Sequence, residues 1–228
     1  HPTQALLDMY TIIPTFDFDE NSESRPPRLN ELRRSFPSLI CGPSQKTYTF
    51  CGDIGRGRTV RSLATVLSQY EGARMIFVSP EHDVLVMDDE LRQRLKMTGV
   101  EFFEVHSLDA EIDGASVLSQ TDCLYMTRIQ REHNSKDTEQ EIAKIDLEPY
   151  LLSPQRVGVL KSYAPILHPF PRDSVVGEIP TCIDSDPRAM YFRQARNGMW
   201  ARAALLVHLF DAADSLYFAF TDVFRSPR

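Results

Sequence analysis

The sequence predicts an α/β fold: a doubly wound parallel sheet with helices on both faces, followed by one long helix. Two observations carry this. Between Lys46 and Arg172, short apolar runs alternate with stretches whose apolar residues recur at helical spacing. Strands joined by helix-length crossovers pair in parallel, and a parallel sheet needs both faces covered. After Asp186 the pattern changes to a single helical period.

The chain opens with a helix over Pro2 to Ile13, where Leu6, Leu7, Tyr10 and Ile13 share a face. Residues 16–45 break the pattern with Pro, Ser and charge and run longer than most ordered loops. They are expected to form a mobile insertion, with a turn or two of helix in LNELRRSF. KTYTFCGDI is the first strand, and Val60, Leu63, Ala64 and Leu67 mark the buried face of the next helix. ARMIFVSP is the second strand, and DDELRQRLKMTG a helix stopped by Gly99. EFFEVHS is the third strand, Leu108 to Gln120 a helix, and DCLYMTRI the fourth strand. Pro149 to Tyr163 is helix or loop interrupted at Pro154, and APILHPFPR is a fifth strand with a proline-rich end. Asp186 and Pro187 read as the N-cap and first residue of a helix reaching Phe210. Gly198 is its weak point, and Phe192, Ala195, Met199, Ala203 and Leu206 form a stripe in need of a partner surface.

Composition narrows the function. Lys plus Arg is 25 against 32 for Asp plus Glu, a formal charge of −7, which argues against a nucleic-acid surface. No apolar run is long enough to span a membrane, and HPTQALLDMY does not have the form of a signal peptide. Cys41, Cys51, Cys123 and Cys182 form no C-x-x-C pair, so free thiols in a reducing compartment are expected, the cytoplasm first and an organelle as the alternative. The histidines show no metal-ligand spacing, and no nucleophile elbow or Cys/His pairing is present.

Polar motifs close three of the strands: GDIGRGRT after the first, TRIQRE after the fourth, HPFPR after the fifth. In an open parallel sheet, ligands bind at the carboxyl ends of the strands. Arg58, Arg128, Gln130 and the backbone at Pro169 and Phe170 therefore form one candidate site. Two arginines suit a substrate with two carboxylates, since each guanidinium grips a carboxylate through paired hydrogen bonds. The same arginines would also serve as surface ion-pair partners. Gly52, Gly55 and Gly57 are spaced G-x-x-G-x-G, which departs from the dinucleotide fingerprint and fits a tight strand-to-helix turn. At the start of the chain His1 and Gln4 stand at i and i+3 of the first helix, on one face.

Taken in order, HPTQALLDMYTI, GRGRTVRSLA, YMTRIQRE, HPFPR and DSDPRAMYFRQARNGM resemble the motifs of aspartate carbamoyltransferases, from His1 to about Leu209 apart from the 16–45 insertion. Ornithine carbamoyltransferases share that architecture but typically carry H-C-L-P where this chain has His168-Pro169-Phe170-Pro171. The resemblance implies a Rossmann-like aspartate-binding domain. It implies carbamoyl transfer from carbamoyl phosphate to L-aspartate for pyrimidine biosynthesis, with no metal or other cofactor, in a homotrimer. It assigns His1 and Gln4 to the carbamoyl group, and Arg58, Arg128 and Gln130 to aspartate. Backbone groups of Pro169 and Phe170 would lie beside the amine, and Glu132 would orient Arg128. The family's phosphate motif precedes HPTQ and has no copy here, so a carbamoyl-phosphate domain ahead of His1 is expected, with this chain a portion of a longer protein. The resulting division is a linking helix at 1–15, an insertion at 16–45, the aspartate-binding domain at 46–180, and at 181–228 a helix and tail that would pack on that other domain. His133 stands where the family has Arg, and RDSVVGEI replaces a shorter stretch. A non-catalytic family member, serving as a structural or regulatory subunit, is the alternative.

Overall fold

The computed structural model describes residues 1–17, 35–130, 136–173 and 177–212. The main sheet is built from β1 (Thr47–Cys51), β2 (Arg74–Val78), β3 (Glu101–Val105), β6 (Cys123–Met126) and β7 (Ile166–Leu167). All neighbours pair in parallel, in the order β3-β2-β1-β6-β7. The chain builds outward from β1 to β3, then returns to the other side of β1. That reversal opens a crevice between the carboxyl ends of β1 and β6.

Side chains alternate across the sheet, as the pleat requires. Tyr48, Phe50, Met75, Phe77 and Tyr125 point to one face and pack with Met9 and Ile12 of α1 (Pro2–Thr15). Val60, Leu63 and Leu67 of α2 (Arg58–Leu67), and Leu91 and Leu95 of α3 (Asp89–Thr98), complete that layer. Cys51, Ile76, Val78, Leu124 and Met126 point to the other face. There they meet Val117 and Leu118 of α4 (Val117–Gln120), Val157 of α6 (Pro154–Val159) and Tyr191. Tyr191 begins α7 (Tyr191–Leu209), and α5 (Lys136–Ile142) precedes α6. Two buried layers on one sheet are the doubly wound arrangement expected from the strand pattern.

Several elements follow the sequence closely. Asp88 caps α3, accepting from Leu91 N–H at 2.8 Å, and Gly99 ends it in the left-handed conformation. Pro154 starts α6 rather than interrupting a helix, with Ser153 accepting from Arg156 N–H at 3.2 Å.

Others depart from it. Leu108 to Gln120 is mostly a hairpin of β4 (Glu111–Ile112) and β5 (Ala115–Ser116), leaving only α4 helical. Asp113 and Gly114 form its turn with φ of 55° and 77°, a conformation that an Asp-Gly pair adopts readily and a helix cannot contain. The fifth strand shrinks to Ile166–Leu167. Asp186 does not cap the last helix, which starts at Tyr191 behind Met190. Its carboxylate instead holds the Arg188 guanidinium, through Nε at 2.9 Å and NH2 at 2.8 Å.

The stripe expected to be buried on α1 is largely reversed. Leu6 and Tyr10 are each 52% exposed, while Gln4, Asp8 and Thr11 are buried. α1 turns that polar face to α7, where Asn197 donates to Thr11 Oγ1 at 3.0 Å. Gly198 permits the approach, since a Cβ there would stand 3.3 Å from Leu7 Cδ2. The predicted stripe of α7 is open: Phe192, Met199 and Leu206 are all at least half exposed. Part of the 16–45 segment packs on the core. Phe16 is fully buried, Phe36 sets its ring edge to Tyr163 at 4.8 Å, and Lys46 Nζ donates to the carbonyls of Ile40 and Ser44.

Candidate functional site

The exits of β1 and β6 are clasped together. Gly52 leaves β1 with φ 122°, and a Cβ there would stand 2.1 Å from the Thr127 carbonyl oxygen. Only glycine allows the two strand exits to lie this close. Thr127 N–H donates to Cys51 O at 2.7 Å, and Asp53 N–H donates to Thr127 Oγ1 at 3.1 Å. Asp53 is fully buried. Its carboxylate accepts from Arg56 N–H at 3.1 Å, Arg56 Nε at 2.9 Å and Gln130 N–H at 3.2 Å. Arg56 also donates to the Gln130 carbonyl. A buried carboxylate is tolerated because a guanidinium and backbone donors surround it. The result joins the GDIGRG turn to the TRIQ segment.

On this frame sit the predicted arginines. Arg58 is the first residue of α2 and is exposed. Among the described residues it makes no side-chain hydrogen bond or ion pair. A helix N-terminus favours negative charge, and a guanidinium there adds to that preference. Arg128 and Gln130 follow β6 and are half-buried. Glu132 and His133 lie outside the described residues.

A second cleft, with an empty volume of about 440 Å³, lies where α1 and α7 meet the end of β7. Gln4, His168, Pro169, Gln194 and Arg202 line it with Leu7, Ala195 and Gly198. Gln4 of the first motif and Pro169 of the fifth strand end thus line one cleft, whose lining does not include Arg58, Arg128 or Gln130. His1 is exposed and does not line it. Its backbone nitrogen donates to Ser62 Oγ at 2.7 Å, which sets the start of α1 one helical turn from Arg58.

The HPFPR segment is held from several sides. Phe170 has φ 58°, a left-handed conformation that costs a non-glycine residue roughly 1–3 kcal/mol. Its N–H donates to His168 Nδ1 at 2.9 Å. Its ring packs on Tyr191 and Phe192 with centroids 6.0 Å and 5.9 Å away. Arg172 lies over these rings and grips Asp184 at 2.7 Å and 3.1 Å. That pairing holds the Asp184 carboxyl below its ordinary range. The fully buried His168 sets Nε2 2.8 Å from the Glu178 carboxylate, in poor hydrogen-bond alignment. Pro169 has no N–H and that of Phe170 is engaged. The backbone groups this corner offers a ligand are therefore carbonyl oxygens, acceptors for an amine.

Residues that sequence reasoning passed over complete the picture. Asp53 and Arg56 build the clasp, and Asp8 and Gln194 connect the walls of the second cleft. Asp8 had a visible signal: an acidic residue four positions after Gln4 in an otherwise apolar helix. Gln194, far away in sequence, had none. Among the described residues no helix is long and apolar enough to cross a membrane, and no group of His, Cys, Asp or Glu is placed to hold a metal ion.

With this geometry in place, similarity to known proteins decides the family. Residues 44–209 match the family model described as aspartate/ornithine carbamoyltransferase, Asp/Orn binding domain. The chain belongs to the aspartate/ornithine carbamoyltransferase family. The aspartate carbamoyltransferase catalytic subunit of Aliivibrio fischeri is 37% identical over 206 residues, covering 90% of this chain and 54% of that protein. The chloroplastic aspartate carbamoyltransferase of Arabidopsis thaliana is 36% identical, with 90% and 43% covered. Among solved structures, the catalytic subunit of M. jannaschii aspartate transcarbamoylase superposes with a TM-score of 0.66 at 32% identity, covering 94% of this chain and 57% of that one. Aspartate transcarbamoylase from Trypanosoma cruzi in complex with N-(phosphonacetyl)-L-aspartic acid gives 0.62 at 29% identity, covering 90% and 53%. The chain spans about half the length of these curated relatives. The family match runs from residue 44, just ahead of β1, to the last residue of α7.

Proposed function

We propose that this chain supplies the aspartate-binding half of an aspartate carbamoyltransferase. The observation that carries the reading is the cleft lined jointly by Gln4, His168 and Pro169, in a chain whose α2 begins with an exposed Arg58 that is unpaired among the described residues. Arg58 and Arg128 each take one carboxylate of L-aspartate, and Gln130 holds the remainder of the molecule. The carbonyls of Pro169 and Phe170 accept from the substrate amine and keep its lone pair directed at the carbamoyl carbon. His1 and Gln4 contact the carbamoyl group, and Glu132 orients Arg128.

In the reaction, the neutral amine of aspartate attacks the carbonyl carbon of carbamoyl phosphate. The new N–C bond forms, the bond from carbon to the phosphate oxygen breaks, and the proton lost by the nitrogen is taken up by the departing phosphate. The products are N-carbamoyl-L-aspartate and phosphate. Positioning of the reactants and stabilisation of the developing oxyanion supply the rate enhancement, with His1 as one oxyanion donor. A domain that binds carbamoyl phosphate completes the site, and the exposed stripe of α7 is the surface that packs on it. We assign the assembly to a homotrimer of pyrimidine biosynthesis in the cytoplasm. The free Cys41, Cys51, Cys123 and Cys182 are in keeping with a reducing compartment.

Calorimetric titration of this chain with succinate, a dicarboxylate analogue of aspartate, tests the assignment. Arg128→Ala should weaken binding by about 30-fold or more, the loss of one charge-assisted pair. Unchanged affinity would remove Arg128 from the site.

A further inference from the structure

Asp8 takes no part in the chemistry proposed above, yet it lies beneath it. It stands one helical turn after Gln4, is fully buried and faces donors. Gln4 Nε2 donates to its Oδ1 at 2.9 Å, and Gln194 Nε2 donates to the same oxygen at 2.6 Å. The Tyr125 hydroxyl donates to Oδ2 at 2.9 Å. The sense of these bonds is fixed from outside. The backbone N–H of His168 can only donate, and it meets Gln194 Oε1 at 2.8 Å. Gln194 must therefore turn its NH2 to Asp8, so Oδ1 is an acceptor. Gln4 must then turn its own NH2 inward too. Its carbonyl oxygen is the polar atom left for the cleft that Gln4 lines.

We propose that Asp8 is a positioning residue. By accepting from both glutamines it holds the Gln4 carbonyl toward the cleft, in fixed register with the His168–Phe170 backbone, so the site selects a ligand that presents an N–H donor at Gln4. The inference rests on the carbamoyl-transfer reading, in which that donor is the NH2 of the carbamoyl group. It also gives a reason for the polar residues that α1 buries between its core face and α7. A proton on Oδ2, toward Tyr125, leaves Oδ1 an acceptor, so the amide of an asparagine can stand in for the carboxylate.

The claim is readable without turnover. In the ¹⁵N-labelled chain, the side-chain NH2 of Gln4 is assigned by its loss in Gln4→Glu. It should exchange slowly with solvent in the wild type and in Asp8→Asn, and like a free amide in Asp8→Leu. Asp8→Ala gives the same readout should the leucine variant not fold. A Gln4 amide indifferent to both Asp8→Leu and Asp8→Ala would overturn the proposal.

Kinetics supply the second arm, using the chain combined with a carbamoyl-phosphate domain. Asp8→Leu should lower kcat/KM for carbamoyl phosphate by about 30-fold, the equivalent of one charged hydrogen bond, and Asp8→Asn by about 3-fold. In a Gln4→Ala background Asp8→Leu should cost no more than about 3-fold further, because its effect passes through Gln4. Fully additive losses would mean that Asp8 is merely structural. A wild type without turnover would count against the carbamoyl reading alone, and the amide signal would still decide the role of Asp8.

Discussion

Replacing Asp8 by asparagine should stabilise the fold at neutral pH and do nothing at low pH. Burial raises the Asp8 carboxyl from 3.8 to about 6, against the opposing pull of the bonds from Gln194, Tyr125 and Gln4. A carboxyl that holds its proton more tightly when folded makes the native state most stable below the unfolded value. That stability is lost as pH rises from about 4 through about 6. The difference corresponds to about 3 kcal/mol at pH 7.5, an upper figure because local relaxation reduces the burial penalty. Asparagine keeps the shape, an acceptor for the glutamines and a donor for Tyr125, while removing the buried charge. Urea unfolding of wild type and Asp8→Asn at pH 3.5 and pH 7.5 gives the comparison. The two should unfold alike at the lower pH, with the variant ahead by about 2–3 kcal/mol at the higher. A variant less stable than wild type at pH 7.5, or a difference that does not change with pH, would refute the reasoning.

Other substitutions separate frame from function. Gly52→Ala meets the Thr127 carbonyl at 2.1 Å and a φ of 122°, so it should cost about 3 kcal/mol or prevent folding, as read by thermal unfolding. Arg58→Ala removes an exposed side chain with no ion pair among the described residues. It should leave the melting temperature unchanged while weakening succinate binding by about 30-fold or more. Asp53→Ala removes the carboxylate that accepts from Arg56 and from the Gln130 N–H, and should cost about 3 kcal/mol together with a loss of succinate affinity. In each case a calorimetric scan paired with a binding titration reads both effects.

The five strands and their parallel pairing were legible because periodicity reports which residues must be buried, and the parallel crossover follows from the helices between strands; their order in the sheet was not. Leu108 to Gln120 was misread because apolar spacing there fits a helix, whereas the Asp113-Gly114 turn overrides it. The register of α1 was misread for a related reason. Leu6 and Tyr10 look like core residues, but the helix has apolar residues on both sides and tertiary contacts choose between them. Gln4, Asp8 and Thr11 win because α7 brings Gln194 and Asn197 to meet them, a pairing across 186 residues that no local pattern contains. The site divides in the same way. Arg58, Gln4 and Pro169 sit in motifs that a reader can find. Asp53 and Arg56 hold the β1 and β6 exits together, and their role depends on two strands becoming neighbours. The open stripe of Phe192, Met199 and Leu206 was legible throughout, since an apolar face on a helix demands cover wherever it lies.

The most direct measurement is carbamoyl-aspartate formation from carbamoyl phosphate and L-aspartate, by this chain alone and after addition of a separately expressed carbamoyl-phosphate domain. Turnover is expected once both are present, and it should disappear when Arg128 is replaced by alanine. No product from a folded, demonstrably associated pair would contradict the assignment of this chain to the aspartate half of the reaction.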